Sequence, residues 1–357
     1  MVAHPCPPAP TAPEDIDPGW LTAAFRAGGL EVEVASMNAQ PITQNVGVQG
    51  SLIRYELTYA GFNGPASVVA KLPTTDPANR AHGVATDLWE REARFYRDIA
   101  PCIGVRVPSC YFVAADSSRG AYALILEDLS GREQPAHVSP RRAAAAMRWL
   151  GDLHGRWWGK TAATFPWLET ERSFERRLRA AAEANWPTFL SEAEAHHVPR
   201  RQISMVEQSI ARFGEGLTGG VLAPTLIHYD FRVGNMLFAG EDDVVTLDWQ
   251  SPLVGQGTVD LIWFLRDSIS PQDRRAHESE LIGLYQEQVV ANGVARADLR
   301  GLGRQARLSQ LRRLPMSVLL ATTFKDLAHI DDAGGCVWWA REYDELEDIW
   351  TAEGRST

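Results

Sequence analysis

The sequence of 357 residues lacks any apolar run that approaches the roughly 20 residues a membrane-spanning helix needs. Its first fifteen residues, MVAHPCPPAPTAPED, also lack a basic stretch followed by an apolar one, the pattern of a secretory signal. They are rich in proline and alanine, which favours a disordered or extended tail. We therefore expect a cytoplasmic protein that does not enter a membrane.

Cysteine is scarce and scattered. The four cysteines form no CxxC pair and have no histidine at metal-ligand spacing, which argues against a zinc site or a disulfide framework. We expect reduced, partly buried thiols at Cys6, Cys102, Cys110 and Cys336. The chain also lacks internal repeats and low-complexity blocks.

Basic side chains are fewer than acidic ones. The chain has 45 acidic and 35 basic side chains, a net charge of -10. Such a charge repels phosphate backbones and anionic membrane surfaces, so no nucleic-acid partner and no membrane partner is expected. A cationic or metal-chelated small molecule fits this balance better. The oligomeric state is not indicated by the sequence.

The remaining composition, 45% hydrophobic and 22% charged, is typical of a globular protein long enough for two lobes. Four β-prone runs and one helical stripe, ATDLWEREARFYRDIA, occupy the first third, and mainly helical patterns follow. This predicts an α+β fold with a small antiparallel β lobe and a larger helical lobe. We divide the chain into a tail and short helix (1–30), a β-rich lobe (31–126), a hinge (127–131) and a helical C-terminal lobe (132–357).

The stretch LIHYDFRVGNMLF places polar residues between two apolar runs. MLFA and VVTL, separated by the turn-forming GEDD, predict a β-hairpin over 236–247. Because the open ends of a hairpin meet, Asn235 before it and Asp248 after it should lie side by side. These oxygen ligands suit Mg²⁺. The alternative is a polar loop followed by an ordinary hairpin.

Asp230 precedes Asn235 by five residues and can face the same point. The order His-x-Asp, four residues, Asn, then Asp after a strand pair matches the catalytic loop of kinase-type phosphotransferases. In such a site Asp230 would orient a hydroxyl and accept its proton during phosphoryl transfer.

A kinase-type site also needs a lysine on a strand and a glutamate on the next helix. VVAKL supplies Lys71, and Glu92 lies within the apolar stripe of the following helix, where a carboxylate without a partner is costly. We predict that Lys71 and Glu92 pair to bind ATP phosphates. The alternative is a solvated lysine and a glutamate at the edge of the stripe.

Weaker signals complete a nucleotide site. Gly47, Gly50 and Ser51 lie in a loop before a strand, where the backbone could approach phosphate oxygens. The main chain at Glu127 and Leu129, at the end of ALILEDL, could pair with an adenine edge. Without the stronger motifs, these segments would be a β-turn and a strand leading into a linker.

Together these motifs resemble the aminoglycoside phosphotransferase and choline kinase superfamily, relatives of the protein kinases. LDW at 247–249, VDLIWFL and WLGDLHGRWWG are similar to segments of its ecdysteroid-kinase-like bacterial members, and the resemblance covers about residues 40–285. It implies a protein-kinase-like two-lobe fold, ATP and Mg²⁺ as cofactors, and the roles given above. It also implies that His228 supports the catalytic loop and that Asp260 holds it by hydrogen bonds.

Arg232 departs from the residues common in aminoglycoside kinases. It would either stabilise charge on the transferred phosphate, the option we favour, or bind the acidic surface. His154 lies on an apolar helix face, and we interpret it as a core histidine with satisfied hydrogen bonds.

The predicted function is ATP-dependent transfer of the γ-phosphate, by direct in-line attack, to a hydroxyl of a small molecule. An aminoglycoside, an amino alcohol, a sugar or a steroid- or macrolide-like alcohol all remain open as acceptors. Many tryptophans favour an apolar acceptor, whereas the acidic stretches HIDDAGG and REYDELED favour a cationic one. The rival hypothesis is a catalytically idle kinase-fold protein that binds a nucleotide or ligand. A protein kinase is less well supported, because no DFG or APE-like segment is present.

Overall fold

The structure is a computed structural model that describes residues 5–42, 50–61, 64–74, 76, 80, 83–84, 86–215, 222–323 and 343–354. Gly47, Trp338, Trp339 and the stretch HIDDAGG lie outside the described residues. The chain divides into two compact units: the first contains 1–153, 230–252 and 266–284, and the second contains 154–229, 253–265 and 285–357. The lobe and hinge boundaries stated above stay a prediction.

A five-stranded antiparallel sheet dominates the first unit. Its strands are β1 (Val34–Ile42), β2 (Gly50–Tyr59), β3 (Ser67–Pro73), β4 (Cys110–Asp116) and β5 (Ala121–Glu127), in the order β1-β2-β3-β5-β4. Alternation of apolar and polar residues in β2 and β3 buries one face of the sheet. Lys71 lies opposite Leu52 on β2 and Leu124 on β5, so it projects from the middle of the sheet. The predicted antiparallel β lobe is confirmed.

The helix Pro18–Ala27 closes one side of this core. Asp17 is its N-cap: the carboxylate accepts a hydrogen bond from the backbone N–H of Trp20 at 2.6 Å, and proline occupies the first turn, as is common. Leu21 and Phe25 are fully buried in the cluster that contains the inner face of the sheet. The predicted short helix is therefore confirmed.

Residues 5–10, before this helix, form neither helix nor strand, and a 3-10 turn, Pro13–Asp15, follows them. The carbonyl oxygen of Pro10 accepts the backbone N–H of Tyr122 at 3.1 Å, and the carbonyl oxygen of Pro8 accepts the indole N–H of Trp20 at 3.0 Å. This N-terminal segment thus runs along the sheet and the first helix.

The predicted helix around Glu92 forms in two parts. An α-helix covers Leu88–Arg94, and a π-helical turn, Phe95–Ile99, continues it. Asp87 occupies the N-cap position, but its side chain makes no capping bond, and its backbone adopts a left-handed conformation with φ 58°. The helix buries Trp89 and Glu92, and the π turn buries Phe95.

The predicted hairpin after Asn235 is confirmed. Its strands are β7 (Met236–Ala239) and β8 (Asp243–Thr246), and β8 begins and ends one residue earlier than the predicted strand VVTL. A 3-10 turn, Val233–Asn235, leads into it. Glu133, just beyond the predicted hinge, pairs with Phe238 of β7 through two backbone hydrogen bonds of 2.8 Å. The hairpin is therefore attached to the chain that follows the sheet.

The rest of the described chain is mainly helical. The α-helices are Pro140–Trp157, Thr161–Thr164, Glu171–Ala195, Arg200–Arg212, Thr258–Asp267, Pro271–Ala291, Leu302–Ser309, Arg313–Thr323 and Tyr343–Gly354. In the second unit, β6 (Thr225–Ile227) pairs antiparallel with β9 (Leu253–Gly255). Among the described residues, no helix combines the length and apolarity that crossing a membrane requires.

Several tryptophans belong to the core. Trp249 is fully buried and stacks on Phe95, with ring centroids 4.2 Å apart, and Trp157 packs against Phe165 at 5.0 Å. Neither ring is open to an acceptor.

Candidate active site

Lys71 and Glu92 form the predicted ion pair. The ammonium nitrogen of Lys71 lies 2.9 Å from Oε1 and 2.8 Å from Oε2 of Glu92. The Glu92 side chain is 1% exposed and that of Lys71 is 12% exposed. Two opposite charges at this depth each offset the cost of burying the other. The first unit therefore brings together two residues 21 positions apart.

The surroundings keep Lys71 protonated. Burial alone would lower the pKa of its ammonium, but the adjacent carboxylates of Asp248 and Glu92 raise that pKa above its ordinary value. Burial acts in the opposite sense on Glu92 and raises the pKa of its carboxyl, although Lys71 offsets part of that rise. The result is a fixed cation on the sheet, as phosphate binding requires.

Asp248 makes a contact that the sequence did not predict. Its Oδ1 lies 2.6 Å from the ammonium nitrogen of Lys71. The residue has a left-handed backbone, φ 62°, immediately after the hairpin. The preceding N–H, of Leu247, donates to the carbonyl oxygen of Asn235 at 2.8 Å, so the two ends of the hairpin meet as predicted.

Asp230 and Asn235 are in direct contact. The amide nitrogen of Asn235 donates to Oδ2 of Asp230 at 2.7 Å and to its backbone carbonyl oxygen at 2.9 Å. The amide oxygen of Asn235 is then the atom that this side chain can offer to a cation. Asp248, 33% exposed, offers a carboxylate. A carboxylate and an amide oxygen at one end of a hairpin fit a divalent cation that takes its other ligands from phosphate and water.

No group of three or more His, Cys, Asp or Glu side chains able to hold a metal ion occurs among the described residues. Asn235 and Asp248 offer two side-chain ligands, fewer than the octahedral coordination of Mg²⁺ requires. A cation there would need a phosphate ligand as well.

Arg232 turns back towards Asp230. Its Nε lies 2.9 Å from Oδ1 of Asp230, and the attraction of that carboxylate raises the pKa of the guanidinium. The side chain passes over Gly234, where an added Cβ would lie 2.5 Å from a terminal guanidinium nitrogen. In this structure, Arg232 therefore neutralises the candidate base.

The predicted backbone contacts to phosphate and to the nucleobase remain predictions. Gly50 and Ser51 begin β2, opposite Pro73 and Leu72 of β3. The N–H of Glu127 donates to the carbonyl oxygen of Ser109 at 2.9 Å.

Two ion pairs fix the start of the predicted hinge. Arg106 lies 2.5 Å from the carboxylate of Glu127. Burial raises the pKa of that carboxyl, but the hydrogen bonds and charge of Arg106 together with hydrogen bonds from Ser109 lower it below its ordinary value. Beyond it, the carbonyl oxygen of Leu129 accepts the N–H of Arg132 at 2.9 Å. The next carboxylate, Asp128, lies 2.6 Å from Arg54.

In the second unit, Asp260 holds the chain just before Asp230. Its fully buried carboxylate accepts the backbone N–H groups of His228 and Tyr229, each at 2.7 Å, which confirms the predicted hydrogen bonds. Tyr229 has φ 69°, which costs energy for a bulky residue and needs such support. His154 is fully buried, 3.0 Å from the hydroxyl of Tyr285 and 3.3 Å from Asp260, so it is a core histidine with satisfied bonds, as predicted.

Sequence reasoning missed Tyr122. Its hydroxyl donates to Oε2 of Glu92 at 2.7 Å in the interior of the first unit. A signal existed: a tyrosine within the apolar run AYALILE needs a hydrogen-bond partner once it is buried. The sequence could not identify Glu92 as that partner.

Comparison with protein families yields one match. The model described as "Phosphotransferase enzyme family" matches residues 54–302, which include Lys71, Glu92, Asp230, Asn235 and Asp248 but not Gly50 and Ser51. No curated protein sequence matches the chain closely enough to count as a relative.

Solved structures match nearly the whole chain. Choline kinase from Cryptosporidium parvum Iowa II matches with a TM-score of 0.58 at 10% identity, covering 89% of this chain and 91% of that one. Macrolide 2'-phosphotransferase from Brachybacterium faecium matches with a TM-score of 0.51 at 18% identity, covering 91% and 98%. An amicoumacin kinase in complex with AMP-PNP, Ca²⁺ and Ami matches with a TM-score of 0.53 at 15% identity, covering 87% and 88%. At these identities the likeness establishes the fold, and the predicted α+β, protein-kinase-like class is confirmed.

Proposed function

We propose that this chain, which belongs to the phosphotransferase enzyme family, transfers the γ-phosphate of ATP to a hydroxyl group of a small molecule. The observation that carries the proposal is the position of Lys71 between two carboxylates, 2.9 Å from Glu92 and 2.6 Å from Asp248. One carboxylate comes from the helix beside the sheet and the other from the end of the hairpin. A phosphate-binding cation and a cation-binding carboxylate thus lie within one hydrogen bond of each other.

The nucleotide would bind through its phosphates. Lys71, held by Glu92, would contact the α and β phosphates. Asn235 and Asp248 would hold Mg²⁺, which supplies charge neutralisation at the phosphate oxygens. Glu127 and Leu129 would contact the base through their main chain, and Gly47, Gly50 and Ser51 would lie over the phosphates. A cytoplasmic location would supply ATP.

Asp230 would be the catalytic base. It orients the acceptor hydroxyl and takes its proton as the oxygen bonds to the γ-phosphorus and the bond to the β-γ bridging oxygen breaks. Arg232 first releases Asp230 and then lies against the phosphoryl oxygens, whose negative charge it offsets. Asn235 keeps the carboxylate of Asp230 oriented through its 2.7 Å hydrogen bond.

The acceptor would be a small alcohol. The names of the fold relatives include a choline kinase, a macrolide 2'-phosphotransferase and an amicoumacin kinase, which span amino alcohols and complex natural products. We therefore propose an amino alcohol, an aminoglycoside, a sugar or a steroid- or macrolide-like alcohol as the acceptor classes to test.

The test is transfer of labelled γ-phosphate from ATP, with Mg²⁺, to a panel of such alcohols. Asp230→Asn should lower turnover by roughly 10²- to 10⁴-fold, the usual contribution of a general base. Asp242→Asn is the matched control, because Asp242 lies on the hairpin turn, is 64% exposed and pairs with Arg141. That control should keep full activity.

Two results would speak against the proposal. Equal turnover in Asp230→Asn and the wild-type protein would remove Asp230 from the reaction. Stabilisation by Mg-ATP without transfer to any acceptor would instead indicate an idle nucleotide-binding protein.

A further inference from the structure

Glu92 needs more than one partner to stay charged inside the protein. Its side chain is 1% exposed, and one ammonium, that of Lys71, approaches both of its oxygens. A buried carboxylate has several lone pairs to satisfy, and a single cation leaves part of that capacity unused. The hydroxyl of Tyr122 supplies a second donor, 2.7 Å from Oε2.

Tyr122 is itself held from two directions. Its ring is fully buried and stacks on Trp89, with centroids 6.2 Å apart and planes 18° apart. Trp89 lies on the same helix as Glu92, three residues earlier. The backbone N–H of Tyr122 donates to the carbonyl oxygen of Pro10 in the N-terminal segment. The hydroxyl is thus aimed at Glu92 by both the sheet and the helix.

The orientation of Glu92 affects the position of the Lys71 ammonium, because Lys71 lies between the carboxylates of Glu92 and Asp248. Asp248 competes for the same ammonium at 2.6 Å. If Glu92 rotates away, the Lys71 ammonium loses its contact with the helix beside the sheet and keeps its contact with Asp248. Lys71 would then no longer be held from two sides at the phosphate position.

We propose that Tyr122 is a positioning residue for nucleotide binding: its hydroxyl holds Glu92 where Glu92 fixes the position of the Lys71 ammonium. Tyr122 touches neither nucleotide nor acceptor and acts through Glu92 alone. The proposal rests on the proposed function, since it assigns a nucleotide to Lys71. It extends that function to a residue outside the kinase-type motifs.

The experiment is titration of the full-length protein with Mg-AMP-PNP by calorimetry. Tyr122→Phe removes one oxygen atom and keeps the stacked ring, so nucleotide affinity should fall on the order of tenfold, as for loss of one hydrogen bond to a charged group. In turnover assays the KM for ATP should rise more than kcat falls. Tyr55→Phe is the matched control, because Tyr55 is 1% exposed on β2 in the same sheet. Its affinity should equal that of the wild-type protein.

A double-mutant cycle tests the route through Glu92. Tyr122→Phe should weaken binding in the wild-type background and have no further effect in Glu92→Gln, because the group it acts through is already altered. Equal losses in both backgrounds would overturn the proposal, as would unchanged affinity in Tyr122→Phe. If Tyr122→Phe fails to fold, Glu92→Asp replaces it in the experiment, because the shorter side chain withdraws the carboxylate from the Tyr122 hydroxyl. Glu92→Asp should show the same loss of nucleotide affinity. Wild-type affinity in that variant would overturn the proposal.

Failure of this inference differs from failure of the proposed function. If wild-type protein binds Mg-AMP-PNP, Lys71→Met abolishes binding and Tyr122→Phe does not change it, only the role of Tyr122 is wrong. If the wild-type protein binds no nucleotide, the proposed function fails first.

Discussion

The ammonium nitrogen of Lys71 lies 2.6 Å from Oδ1 of Asp248, although the two residues are 177 positions apart in the sequence. This hydrogen bond joins the β-sheet to the end of the β7–β8 hairpin within the first unit. The carboxylate of Asp248 therefore helps to keep Lys71 protonated. The predictions below concern Lys71, Asp260 and Asp128.

Lys71→Met should abolish nucleotide binding and also destabilise the fold. Removing the ammonium leaves Glu92 buried without its cation, a change that typically costs about 3–5 kcal/mol. Activity should fall at least about 100-fold, the size of effect expected when a charged group that stabilises the transition state is lost. Urea unfolding and a phosphate-transfer assay measure the two effects.

Lys160→Met is the control, because Lys160 is exposed and its ammonium lies 3.4 Å from the carbonyl oxygen of Arg156. It should behave as the wild-type protein. A Lys71→Met protein with normal stability and activity would contradict the assignment of Lys71.

Asp260→Asn should destabilise the second unit and slow the reaction. The carboxylate accepts two backbone N–H groups with its two oxygens, whereas an amide offers one oxygen and one NH₂. One buried N–H is left unsatisfied, which costs about 1–3 kcal/mol of unfolding free energy. Because Tyr229 directly precedes Asp230, kcat should fall more than the KM for ATP rises.

Urea unfolding with steady-state kinetics checks this result. Asp298→Asn, on an exposed 3-10 turn, is the control and should change neither quantity. Full stability in Asp260→Asn would show that the two hydrogen bonds contribute little.

Asp128 should make stability depend on pH in the acid range. Burial raises the pKa of its carboxyl, but hydrogen bonds from Ser67, the N–H of Ser130 and Arg54 lower it below its ordinary value of 3.8. A carboxyl with a lowered folded-state pKa stabilises the fold above the unfolded-state pKa. That contribution is lost as pH falls through the folded-state pKa, below 3.8.

Asp128→Asn should therefore be less stable than the wild-type protein at neutral pH, and the difference should shrink below pH 3.8. Unfolding free energies measured from neutral to acid pH test this. Asp116→Asn is not a suitable control, because hydrogen bonds to Ser118 and Arg119 lower its pKa too. Asp242→Asn serves instead. A difference that is constant with pH would show that the charge of Asp128 is not the cause.

Much of the first unit could be predicted from the sequence because its signals are periodic. A β-prone run predicted the strand that carries Lys71, and the helical stripe predicted that Glu92 is buried and paired. Turn residues predicted the hairpin that brings Asn235 to the residue before Asp248. In each case the pattern itself fixes which side chains share a face.

The interactions that were missed depend on groups that leave no pattern. The N-terminal segment binds through the carbonyl oxygens of Pro8 and Pro10, which every residue type possesses. The pairing of Arg232 with Asp230 and the left-handed backbone at Asp248 are set by three-dimensional packing. When several groups lie within reach of a side chain, its residue type does not show which of them it contacts.

The positive φ angles at Tyr229 and Asp248 mark sharp changes of chain direction at both ends of the segment 230–248. The candidate base and both candidate cation ligands come from this one continuous stretch, so they are inherited together. Lys71 and Glu92 lie outside this stretch, on a strand and a helix of the sheet region. An exchange of residues 230–248 alone would therefore replace the Asp248 carboxylate that contacts Lys71 while leaving the Lys71–Glu92 pair in place.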